Sequence, residues 1–191
     1  MTTTKTLIER IWNPNTLLKK VLAVFIGSLL LAASAQITVP LKPVPITMQT
    51  FAILLIGMTY GSKLGAATMI LYLAKGAIGL PVFAGGAGGA IHLIGPTGGY
   101  LWGFIIAAYA TGWLAERGWG KTFLTTALAM LVGNIALYIP GLIVLNIVLD
   151  LGVRETLNLG LIPFLVGDTL KLLLATATIP IAWHFVQKKK T

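Results

Sequence analysis

The chain has 191 residues, 57% of them hydrophobic and only 10% charged, with a mean hydropathy of +0.90. That balance lies outside the range of soluble globular domains and predicts an integral membrane protein, built as one all-α domain over residues 1–191. A net charge of +9 would suit nucleic acid, but the positive residues collect at the ends of apolar segments and in Lys188-Lys189-Lys190, as membrane topology requires, and the lack of cysteine excludes disulfides and thiolate sites.

Six apolar segments predict a bundle of six transmembrane helices, at about 17–37, 48–60, 64–78, 100–114, 123–149 and 164–186. The second to fourth are shorter than the ~20 residues of a full crossing, so adjoining loop residues are expected to extend them, or they pack as partly re-entrant segments. No cleavable secretory signal is expected, because the polar start gives way to an apolar stretch longer than an h-region. With six spans both termini share one side. Lys5, Arg10, Lys19, Lys20, Lys63, Arg117, Lys121 and the terminal lysines fall there, against Lys42, Lys75 and Arg154 opposite, which predicts cytoplasmic termini in the cell membrane.

Span one carries small residues at Ala23, Gly27, Ser28 and Ala32, a stripe that lets another helix approach closely, whether from a partner or from the same bundle. The loop that follows, 38–47, contains Pro40, Pro43 and Pro45 among apolar residues, so it is expected to be extended and stiff, either as a lid over a cavity or lying in the interface. Gln49, at the next helix entrance, either offers an amide to a ligand or caps the helix.

The loop 79–99 is dense in glycine and includes Gly85, Gly86, Gly88, Gly89, Gly95, Gly98 and Gly99. Such density permits close backbone approach, and Thr97-Gly98-Gly99 leads into a helix whose free N–H groups favour an anion. Phe83 and Tyr100 punctuate the loop as candidate pocket walls. Residues 115–122 match a relaxed phosphate-loop pattern, but the pattern lies between two hydrophobic spans rather than between a strand and a helix, so any ATP use belongs to a partner chain.

Span five contains Asn134, Tyr138, Pro140, Gly141 and Asn146; the two Asn are expected either to bridge helices or to reach a cavity, and Pro140 to kink the helix. Asp150, Arg154 and Glu155 are expected to be solvated loop charges. His92 and His184 are too far apart to pair on a metal, and no nucleophile set stands out, so neither a metal site nor a catalytic residue is expected.

The strongest chemical signal is in span six, Gly167-Asp168-Thr169-Leu170-Lys171. A charge at membrane depth costs about 2.5–3.5 kcal/mol on insertion scales, so an acid and a base three residues apart on one helix face mark a functional site.

Together, Val44-Pro45-Ile46-Thr47-Met48-Gln49-Thr50-Phe51, Gly79-Leu80-Pro81-Val82-Phe83-Ala84-Gly85-Gly86, Gly95-Pro96-Thr97-Gly98-Gly99-Tyr100 and Gly167-Asp168-Thr169-Leu170-Lys171 resemble the BioY family, biotin-specific S components of energy-coupling-factor transporters. The resemblance covers nearly the whole chain. It implies six membrane helices, an outward-facing pocket that captures biotin, and partnership with a transmembrane coupling subunit and two cytoplasmic ATPases that alone use ATP. The chain itself would need no cofactor. Asp168, Lys171, Tyr100, Phe83, Gln49, Gly88, Gly89, Thr97, Gly98 and Asn134 are then the candidate biotin contacts. The resemblance also makes the stripe of span one a docking surface for the coupling subunit; the family's usual Ala-x-x-x-Ala is matched here by Ala23-x-x-x-Gly27 or Ser28-x-x-x-Ala32. On this reading Asp168 accepts a ureido N–H, Lys171 donates to the ureido carbonyl, and the carboxylate meets backbone N–H groups near Thr97 to Gly99. The rival assignment pairs Lys171 with the carboxylate. An S component for another small vitamin and a self-sufficient secondary transporter are the alternatives; the latter would show internal repeats, and none is apparent.

Overall fold

The computed structural model describes residues 4–188; Lys189 and Lys190 of the C-terminal basic run lie outside them. In chain order it contains α1 (Leu7–Ile11), α2 (Leu17–Gln36), a two-stranded antiparallel hairpin of β1 (Thr38–Val39) and β2 (Ile46–Thr47), α3 (Gln49–Tyr60) and α4 (Ser62–Ala77). A glycine-rich connection with one 3-10 turn at Ala84–Gly86 leads to α5 (Ile91–Ile94), then α6 (Gly98–Ala115), α7 (Phe123–Leu149), α8 (Val153–Gly160) and α9 (Ile162–Lys188). The six long helices lie where the six apolar segments were predicted. Loop residues do extend two of the short ones, with α4 starting at Ser62 and α6 at Gly98. Three helices, Leu17–Gln36, Phe123–Leu149 and Ile162–Val186, are long and apolar enough to cross a membrane, and Gln49–Tyr60 is a shorter apolar helix.

Local chemistry sets the ends. The Thr16 hydroxyl accepts from the Lys19 N–H at the start of α2, and that of Thr122 accepts from Thr125 at the start of α7. Only Gly61 separates α3 from α4, and it holds φ 83°, a conformation costly for any residue with a Cβ. The first turn of α4 is closed from the turn after α6: one Glu116 carboxylate oxygen accepts from the Ser62 N–H at 2.7 Å and its hydroxyl at 2.8 Å. Glu116 belongs to the phosphate-loop-like stretch, so that segment has a packing role here.

Helix α6 is buried around most of its circumference and forms the axis of the bundle, with α3, α4 and α7 packed on it. Close approach to α7 depends on Gly103, where a Cβ would lie 2.7 Å from the Leu137 carbonyl. The apolar core has two parts. One, with Leu54, Met58, Met130, Ile179 and Trp183, lies toward α1; the other, with Ile53, Tyr72, Phe83, Tyr100, Phe104 and Phe164, lies toward the hairpin and the glycine-rich loop. The outer surface is itself apolar. Leu22, Phe25, Ile26, Leu29 and Leu30 on α2, and Ile135, Ile139, Ile143 and Ile147 on α7, are all exposed. A surface of this kind is made for hydrocarbon rather than water.

The small-residue stripe of α2 faces inward. Ala23, Gly27 and Ser28 are buried within the chain, and a Cβ at Gly27 would lie 2.9 Å from Cγ2 of Thr68 on α4. Of the four residues expected to dock a partner, only Ala32 remains partly open. Gly27 and Ser28 close the α2–α4 interface and Ala23 is buried as well, which leaves the exposed face of α2 largely to Leu, Ile and Phe side chains. One smaller expectation changes, and another resolves to the helix-bridging one of its two alternatives. Arg154 and Glu155 are exposed as expected but sit on α8, and Asn146 bridges to the α8 region, donating to the Leu151 carbonyl and to the Thr156 hydroxyl at 2.9 Å.

Candidate functional site

At the hairpin end of the bundle, α3, α6, α7 and α9 diverge around a cavity of about 270 Å³. That size is close to the lower end of small-ligand pockets. Its walls are Leu101, Phe104, Leu137, Tyr138 and Phe164, with Phe83, Ala84, Ala87, His92, Thr97 and Tyr100 from the glycine-rich loop and the start of α6. The hairpin contributes its tip, Pro43-Val44-Pro45, to the lining. Gln49, Thr47, Thr50, Asp168 and Lys171 complete the lining.

Asp168 and Lys171 lie on one face of α9 with Nζ 2.9 Å from Oδ1, and both side chains are largely buried. They do not stand alone. The Thr50 hydroxyl donates to Asp168 Oδ1 at 3.0 Å and the Tyr138 hydroxyl to Oδ2 at 2.6 Å. The Lys171 ammonium also donates to the Thr47 carbonyl at 2.7 Å and the Thr50 hydroxyl at 3.1 Å. All three ammonium protons therefore have acceptors, whereas a carboxylate has about four acceptor positions and three are used here. The network is thus saturated as a donor of charge but keeps one acceptor position on Oδ2.

The aromatic walls are fixed from behind. The Tyr100 hydroxyl donates to the Gly160 carbonyl at 2.8 Å, and its ring lies 6.4 Å from Phe164, stacked, and 6.2 Å from Tyr138, edge to face. Gly141 makes room for that ring, since a Cβ there would lie 2.5 Å from it. Phe83 meets Tyr72 at 5.5 Å and His92 at 5.8 Å, both edge to face, and its ring occupies the space a side chain at Gly76 would need. Gln49 donates to the Tyr72 hydroxyl at 2.6 Å and accepts from the Thr47 hydroxyl at 3.0 Å, while Tyr72 donates onward to the Val82 carbonyl. Its amide is therefore a strut between the hairpin, α4 and the loop as well as part of the wall.

The structure brings six of the ten candidate contacts to the cavity: Asp168, Lys171, Tyr100, Phe83, Gln49 and Thr97. The other four lie off its wall. Gly89 has φ +108° and donates to the Gly76 carbonyl at 2.7 Å, and a Cβ at Gly88 would meet the carbonyls of Leu80 and Gly79, so both fasten the loop to the end of α4. Gly98 donates to the Gly95 carbonyl at 2.8 Å. Asn134 is buried one helical turn from Tyr138, and its carbonyl oxygen has no partner among the described residues. Sequence reasoning picked the amide and passed over the phenol. Thr50, Phe164 and His92 were also not selected; Thr50 and Tyr138 were visible only as neighbours of residues already chosen, and Phe164 only as the first residue of its span.

The family model described as the BioY family matches residues 3–188. Relatives include the biotin transporter BioY of Thermotoga maritima, 40% identical over 146 residues, covering 76% of this chain and 85% of that protein. The probable biotin transporter BioY of Pyrococcus horikoshii is 40% identical over 161 residues, covering 84% and 93%. Among solved structures, the S-component for biotin from an ECF-type ABC transporter superimposes with a TM-score of 0.74 at 25% identity, covering 91% of this chain and 92% of that one.

Proposed function

The chain belongs to the BioY family, and from that premise we propose that it is the biotin-binding S component of an ATP-driven uptake transporter in the cell membrane. The observation that carries the reading is the Asp168–Lys171 pair, held by Thr50 and Tyr138 at one edge of an otherwise apolar, aromatic-walled cavity. Biotin has matching parts: a rigid bicyclic ring with ureido N–H donors and a carbonyl, and an aliphatic chain ending in a carboxylate. The open acceptor position on Asp168 suits a ureido N–H. Lys171 reaches the ureido carbonyl by exchanging one of its three acceptors for it. Tyr100, Phe83 and Phe164 supply apolar walls for the ring and chain.

The carboxylate then lies near the start of α6. There the Gly98 N–H is committed to Gly95, while those of Gly99 and Tyr100 have no partner among the described residues. Six crossings, with α2, α3, α4, α6, α7 and α9 as the spans, place α1 on the cytoplasmic side under the positive-inside rule and turn the cavity outward. ATP hydrolysis belongs to two ATPase subunits acting through a transmembrane coupling subunit. Those partners engage surfaces other than the α2 residues packed on α4.

Reconstitution tests this against a self-sufficient carrier. Proteoliposomes containing the chain alone are expected to bind biotin without accumulating it, and accumulation is expected only when coupling and ATPase subunits and ATP are supplied. Ion-gradient-driven uptake by the chain alone, insensitive to ATP, would replace the coupled reading.

A further inference from the structure

Asp168 and Lys171 neutralise each other, so an anionic ligand brings an uncompensated negative charge into an apolar cavity. Such a charge is costly to bury without a cation or several donors. Lys171 has no uncommitted proton. One further basic side chain on the wall lies outside the ion-pair network: His92 on α5.

His92 is half-buried, and its side chain has no hydrogen-bond partner among the described residues. Its ring meets Phe83 edge to face at 5.8 Å, an apolar backing that shields one side. The Thr97 hydroxyl lies 3.5 Å from the His92 carbonyl, so α5 adjoins the start of α6, where Thr97 and Tyr100 line the same cavity. The helices packed on α5 are α4 and α6. Their titratable groups toward this end are Tyr72, bonded to Gln49 and Val82; Lys75, whose ammonium donates to Ser28 on α2; and Tyr100, bonded to Gly160. Lys42 of the hairpin is exposed, and Tyr138, Asp168 and Lys171 form their own network across the cavity. Each of these groups, Lys42 apart, has a partner.

We infer that His92 is the carboxylate-recognising residue of the cavity: it takes up a proton as biotin binds, and its imidazolium, beside the start of α6, neutralises the ligand's carboxylate. The inference rests on the biotin reading above. An imidazole ordinarily changes charge between about pH 5 and 8, where an alkyl carboxylic acid is already ionised. Pairing favours the charged imidazole, so the contribution is full at low pH and is lost as the pH rises.

The test is isothermal calorimetry of the wild-type chain with biotin and with biotin methyl ester from pH 5.5 to 8.5, in buffers of differing ionisation enthalpy. Biotin is expected to bind with uptake of part of a proton near neutrality and to lose about tenfold in affinity across the range, while the ester shows neither effect. In His92→Gln the proton uptake disappears, and the preference for biotin over the ester at pH 5.5 collapses. In His92→Lys that preference persists but no longer varies with pH. Biotin binding by the wild type without proton uptake, or an undiminished uptake in His92→Gln, overturns the role of His92 and leaves the proposed function standing. Failure of biotin to bind at any pH contradicts the proposed function itself.

Discussion

Asp168→Ala is expected to abolish measurable biotin binding and to lower the thermal stability of the purified chain. The two effects have separate causes. Removing the carboxylate leaves the Lys171 ammonium among neutral oxygens in a largely buried position, and breaking a buried pair in this way costs about 3–5 kcal/mol. It also removes the acceptor offered to the ureido group. The double variant Asp168→Ala/Lys171→Met separates them, because it removes the stranded charge as well: thermal stability is expected to recover while binding does not. Biotin binding of wild-type strength in the double variant would mean that the pair is only an internal staple of α9.

The orientation of the ligand follows from the same pair. Lys171→Ala is expected to weaken biotin and biotin methyl ester by similar factors, because Lys171 acts at the ureido end. A variant that binds biotin poorly yet leaves ester affinity unchanged would place Lys171 on the carboxylate and reverse the ligand.

Tyr100→Ala is expected to have the next largest effect. The ring is buried among Tyr138, Phe164 and Gly141, and its hydroxyl ties α6 to the end of α8 through Gly160. Truncating a buried aromatic side chain costs about 3–5 kcal/mol, and here the lost volume is also the cavity wall. Tyr100→Phe keeps the ring and gives up one hydrogen bond, about 1 kcal/mol, so it should retain biotin affinity within a few-fold. Equilibrium dialysis with labelled biotin reads both. If Tyr100→Ala and Phe83→Ala each bind biotin as the wild type does, the cavity between them is not the binding site.

What could be read from the sequence followed the strength of each physical signal. Apolar segments bounded by Pro, Gly and basic residues placed the long helices within a few residues, because a run of that length and hydrophobicity is stable only as a helix in lipid or in a protein core. The acid and base in span six stood out because charge within an apolar run is costly enough to demand a reason. Weaker signals misled. Asn134 and Tyr138 are four residues apart on α7 and so share one face of the helix, and only their depth in the folded bundle decides which reaches Asp168. Gly88 and Gly89 promised close backbone approach and deliver it at the end of α4, to Gly76 and to the Gly79-Leu80 turn that follows. Gly27 and Ser28 likewise gave a close-packing surface whose partner the spacing did not specify, and the partner is α4. Helix α8 was absent from the reading because its eight residues, although amphipathic, are too few and too polar to stand out among long apolar segments.

The central claim is that this chain, by itself, recognises biotin. It is tested most directly by equilibrium binding to the purified chain in detergent, with thiamine and riboflavin as controls. Saturable binding of biotin, with neither of the other vitamins competing, is the predicted result. Equal or stronger binding of thiamine or riboflavin would contradict it.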